Sequence, residues 1–241
     1  MTRKRVQRPK GLPKFVNLKW ALDDALLFEV DDRIGGILFA YRSTCQKMDE
    51  LSREEMWLDL KLSRRDNKDR MKELGGALFG YRRFLTEMTI SSAANATEAV
   101  RANIILVTSV RLDFWKSSPP VPRLKLAREV LCLTNVIKHN RGQLKRGSSQ
   151  HAEFLIDKCG LPDGADLYLI PFNMEFMLRQ IYAFLLGICS FAMHQPRVPD
   201  KEVERYYKML LPDFVPVATT VVDSLPKGLK NRFHMVWKGR T

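Results

Sequence analysis

The sequence predicts a mainly α fold: a single helical bundle of about seven to nine helices behind a basic N-terminal arm. Three observations predict it. Apolar residues recur at three- and four-residue spacing through most of the chain. Helix start and stop signals punctuate those stretches. No alternation of strand and helix patterns, which a parallel sheet would need, is present. At 241 residues, 45% hydrophobic and 28% charged, the chain can bury a core unaided and matches an ordinary globular domain. Collagen-like, low-complexity and wholly disordered classes are excluded.

In chain order, residues 1–16, with Pro9 and Pro13, read as a flexible arm. Leu18, Ala21, Leu22, Ala25 and Leu26 predict a helix over 17–31, and a second is expected over 34–48. Ser52 and Glu55 have the spacing of a capping box and predict a helix start. Further helices are expected over 69–88 and, opened by Asn95 and Glu98, over 95–116, where Ser117-Ser118-Pro119-Pro120 breaks the pattern. Pro122 begins a helix with an apolar stripe through Leu124, Ala127, Val130, Leu131 and Ile137. After a basic turn over 142–149, Ser149 caps a short helix that Gly160 ends. A long helix over 173–193 and a short one from Pro199 to before Pro212 complete the bundle. The segment 213–241 is irregular, with a β-rich stretch at Val217–Val222. The domain is thus expected to span 17–241.

Leu167 to Met193 is the longest apolar stretch. Glu175, Arg179 and Gln180 inside it would be expensive in lipid, so a buried core helix is expected rather than a membrane span. Four separated cysteines without a CxxC pair predict neither a disulfide framework nor a cysteine zinc site, and fit the reducing cytoplasm. Four histidines without acidic companions predict no metal site and no cofactor.

One nine-residue pattern occurs twice, at an offset of 40: Ile34 to Arg42 and Leu74 to Arg82 share six identities, including a glycine pair and a Tyr-Arg end. Helical glycines cost about 1 kcal/mol each relative to alanine. Close helix–helix approach is the expected compensation.

The net charge of +13 is uneven. Residues 1–19 hold seven Lys/Arg, among them Arg3, Lys4 and Arg5; residues 138–146 hold Lys138, Arg141, Lys145 and Arg146; residues 224–241 hold five. No acid interrupts any of the three. Such clusters draw polyanions, because each neutralised phosphate releases counterions. Nucleic acid, RNA rather than DNA, or an acidic protein is the expected partner.

The cluster at 138–146 adjoins the polar end of an apolar helix. Asn135 and His139 are four residues apart and share a face; Arg128 lies two turns earlier on nearly the same face. Histidine titrates near neutrality and moves protons, asparagine orients an imidazole or a ribose, and arginine stabilises charge on a phosphorane. Metal-independent RNA cleavage needs little more, since the 2′-hydroxyl is itself the nucleophile. The candidate catalytic residues are therefore His139, Asn135, Arg141 and Arg128; the candidate nucleic-acid contacts are Lys138, Lys145, Arg146, Arg3, Lys4 and Arg5.

Asn135-x-x-Lys138-His139-x-x-Gly142 at the end of an apolar helix resembles the HEPN-type helical domains, whose signature is Arg-x(4–6)-His with a polar residue after the arginine. The resemblance implies an all-α fold, metal-independent ribonuclease activity in toxin or phage-defence settings, and a homodimer. Asn135 matches the polar position and His139 the histidine; the arginine position is occupied by Thr134, for which Arg128 or Arg141 would have to substitute. Arg146-x4-His151 is a second formal match, across a Gly-Ser turn. Asn-x-x-Lys-His also resembles the N box of GHKL ATPases, but the glycine-rich loop of that fold is absent. A non-catalytic nucleic-acid-binding or adaptor subunit is the alternative expectation.

Overall fold

A computed structural model is all-α over the residues it describes. It describes residues 18–108, 110–115, 121–194 and 197–211. Among them are six helices of ten residues or more and one single turn: α1 (Leu18–Ser52), α2 (Glu54–Trp57), α3 (Arg64–Thr108), α4 (Leu124–Asn140), α5 (Gln150–Cys159), α6 (Met174–Ala192) and α7 (Asp200–Met209). The arm at 1–16 with Arg3, Lys4 and Arg5, the break at Ser117–Pro120 and the segment 213–241 lie outside the described residues.

Two pairs of expected helices are each one helix. The helices read at 17–31 and 34–48 join in α1, because Leu26, Val30, Ile34, Leu38, Tyr41 and Cys45 form one uninterrupted buried stripe. Those read at 69–88 and 95–116 join in α3, where Leu85, Thr89, Ile90, Ala93, Val100 and Ile104 do the same. Asn95 is therefore interior to α3. Ala93, Ala94 and Ala96 around it are buried on the inward face of the helix. Ser52 ends α1, its hydroxyl donating to the Asp49 carbonyl oxygen at 2.8 Å. The capping residue of α3 is Ser63: its Oγ accepts from Asp66 N–H at 3.2 Å and donates to Asp66 Oδ2 at 2.7 Å.

The later boundaries agree with the sequence reading. Ser149 Oγ accepts from Ala152 N–H and opens α5, Gly160 closes it at φ 73°, and Asn173 caps α6 through Phe176 N–H.

Helix α6 is the centre of the bundle. Leu178, Ile181, Phe184 and Ile188 are fully buried, between α1, α3, α4 and α7. The helix is long and apolar enough to span a membrane by length and composition, but 67% of it is buried inside the protein. Helix α1 runs antiparallel to it: Arg42 pairs with Glu175 at 2.8 Å near the start of α6, and Tyr182 donates to Asp31 at 2.7 Å near its middle. Helix α7 folds back along α6 through Arg179–Glu204 (3.1 Å) and Tyr207 Oη to Glu175 O (3.3 Å).

The repeated glycine pattern has two fates. A Cβ on Gly35 would lie 3.3 Å from the Leu210 carbonyl oxygen, the close approach expected of such a residue. Gly75, Gly76 and Gly80 have nothing within 4 Å of that position.

Candidate nucleic-acid interface

Helix α4 is amphipathic. Ala127, Val130, Leu133, Thr134 and Ile137 are buried, and its apolar side faces α3 and α6. Arg128, Cys132, Asn135 and His139 share a different face, the one turned to α5. Two residues with positive φ end the helix: Arg141 at 53° and Gly142 at 78°. Arg141 and Gly142 N–H both donate to the Val136 carbonyl oxygen, the latter at 3.3 Å, and close the helix end.

The turn that follows is clasped to residues 164–167. Leu144 N–H donates to Ala165 O (2.8 Å), Gly164 N–H to Leu144 O (2.7 Å) and Leu167 N–H to Gly142 O (2.9 Å). Tyr168 then covers Gly142, and its hydroxyl donates to Glu87 Oε2 at 3.3 Å, while the Arg83 guanidinium lies 4.5 Å from its ring centroid. The turn is in this way fixed to α3. Lys138, His139, Arg141 and Lys145 are all exposed on the clasped structure.

The candidate residues separate into two groups. His139, Lys138, Arg141 and Lys145 lie together at the exposed end of α4. Asn135 is half-buried one turn before His139, its Nδ2 donating to Leu131 O at 2.8 Å. Arg128 is not brought to them: its Nε donates to the Phe114 carbonyl oxygen, and its Cα is about 16 Å along the axis from that of His139 at 1.5 Å per residue. Arg146 turns to the opposite partner, pairing with Asp157 at 2.8 Å, while its N–H donates to Asp163 Oδ1 at 2.9 Å. Thr134 is 5% exposed; its hydroxyl donates to Val130 O at 3.0 Å and lies 3.4 Å from Ile90 O of α3. A side chain at 134 therefore points into the core.

Two further side chains join the site. His151, in the first turn of α5, places Nδ1 3.6 Å from Cys132 Sγ. Burial raises the Cys132 thiol to about 12, with Glu129 adding to the effect, so the sulfur stays protonated beside the imidazole. Burial also lowers the His151 pKa, and the nearby charge of His139 lowers it further. Trp115, 52% exposed, has its ring centroid 5.8 Å from that of His151 and 6.4 Å from that of Phe154. Sequence spacing had linked His151 only to Arg146, and nothing in the pattern singled out Trp115; both reach α4 through tertiary packing.

No family model, no curated protein and no solved structure matches this chain.

Proposed function

We propose that the chain is a HEPN-like RNA-targeting protein whose α4 end grips a phosphodiester and whose His139 moves a proton there. One observation carries the reading: Lys138, His139, Arg141 and Lys145 are exposed together on a turn where Asp157 and Asp163 are engaged by Arg146. Lys138, Arg141 and Lys145 face solvent as a positive cluster beside His139, and a phosphate bound there displaces condensed counterions. Arg141 is the phosphate-stabilising cation, because Arg128 is committed to the Phe114 carbonyl. Asn135 is the orienting carboxamide one turn from the imidazole. Trp115 supplies an exposed ring on which an unpaired base can stack. RNA is favoured over DNA because a neighbouring 2′-hydroxyl supplies the nucleophile.

Binding without cleavage on the same surface is the second reading. Thr134 favours it: the position that carries arginine in the HEPN signature is buried against α3 here. Labelled RNA incubated in EDTA with wild type and with His139→Ala separates the two. Cleavage by wild type alone supports the first reading. Salt-dependent binding without cleavage supports the second, and no binding at low ionic strength overturns both.

A further inference from the structure

We propose that His151 is the second proton-transfer group of this site, so that a single chain supplies both base and acid at the α4–α5 contact. The inference rests on the RNA-targeting reading above.

The geometry comes from two elements. Ser149 caps α5 and fixes its first turn, which carries His151 against Cys132 at 3.6 Å. Cys132, Asn135 and His139 follow one another along one face of α4. The Cα atoms of Cys132 and His139 are about 10 Å apart along the axis, and side chains on a helix lean toward its N-terminus, which brings the His139 ring back toward Asn135. The Cys132 thiol lies against Nδ1 of His151, so the proton transfer is assigned to Nε2. The two rings are in different settings, one exposed beside cations and one half-buried beside a thiol and Trp115. Such a difference separates an acid from a base.

In the reaction, the ribose 2′-oxygen gives its proton to one imidazole and bonds to phosphorus. The P–O5′ bond breaks, and the other ring, as imidazolium, protonates the departing 5′-oxygen. The products are a 2′,3′-cyclic phosphate and a 5′-hydroxyl; solvent exchange resets the two rings. No metal or further reactant enters.

The test uses the full chain, a labelled single-stranded RNA and EDTA, with binding and cleavage measured separately. His139→Ala and His151→Ala are each expected to slow cleavage about 100-fold or more while still binding RNA in a salt-dependent manner. His151→Gln, which keeps a polar side chain in place, is expected to be equally slow. An RNA whose 5′-leaving oxygen is replaced by sulfur needs no protonation of the leaving group, so one alanine variant, and only one, regains cleavage on it. Wild-type rates in both His151 variants overturn the proposal, as does rescue of both alanine variants or of neither. Wild type that binds without cleaving also overturns it and leaves the binding reading intact; wild type that does not bind overturns the reading beneath it.

Discussion

The ring of Tyr168 lies on the backbone of Gly142 so closely that a Cβ there would come within 2.5 Å of Cε2. This contact locks the end of α4 to α3 and sets the positions of Arg141 and Lys145. Gly142→Ala meets both a positive φ of 78° and the ring, so the expected loss is about 2–4 kcal/mol. Gly147→Ala, at φ 77° with open space around it, is expected to lose only about 1 kcal/mol. Urea unfolding of the two variants measures the difference, which isolates the contribution of the ring.

Placing at position 134 the arginine of the HEPN signature is expected to fail. Thr134→Arg places a guanidinium between α4 and Ile90, without a carboxylate partner, at a cost of about 3–5 kcal/mol. Thr134→Val removes a hydroxyl bonded to its own helix and is expected to stay within about 1 kcal/mol of wild type. Thermal unfolding compares the two; a stable Thr134→Arg protein contradicts the placement.

The two copies of the glycine pattern predict opposite outcomes for the same substitution. Gly76→Ala, in a helix with nothing near its Cβ, is expected to stabilise the monomer by about 1 kcal/mol. Gly35→Ala must displace the Leu210 carbonyl oxygen from 3.3 Å and is expected to gain nothing or to lose stability. Equilibrium denaturation of each variant against wild type checks the contrast.

His151 makes stability sensitive to acid. Burial first, and then the charge of His139, lower its pKa below the ordinary 6.5. Below that value the unfolded chain takes up a proton that the folded chain does not. The contribution of this group is therefore complete above pH 6.5 and is lost as pH falls through the lowered folded value. Melting wild type and His151→Gln at pH 7.5 and pH 5.5 is expected to show a smaller acid loss in the variant; equal losses contradict the assignment.

Much of this was legible in the sequence. Periodicity marked the helices, and Ser149, Gly160 and Asn173 marked their ends, because capping is local chemistry. The joins within α1 and α3 were not legible, since the pattern ended one helix at Asp31 and began another at Asn95 until packing of the buried stripe is counted. The Ser63–Asp66 cap was available in the sequence, as a serine with an acid three residues on, but Ser52 and Glu55 had the same form. At the site, the grouping of Asn135 with His139 followed from helical spacing. The commitment of Arg128 to Phe114, the turning of Arg146 to Asp157 and the approach of His151 to Cys132 depend on contacts between separate segments, which no spacing rule contains.

The most direct test of the central claim, that the end of α4 binds RNA phosphates, is the salt dependence of RNA binding. For single strands, each phosphate contact adds about 0.7 to the magnitude of the slope of log K against log salt concentration. Lys138→Ala/Arg141→Ala/Lys145→Ala is predicted to reduce that slope by about 2 and to weaken binding at low salt, while Arg146→Ala, whose cation is already paired with Asp157, changes it least. A triple variant with the wild-type slope and affinity would contradict the account.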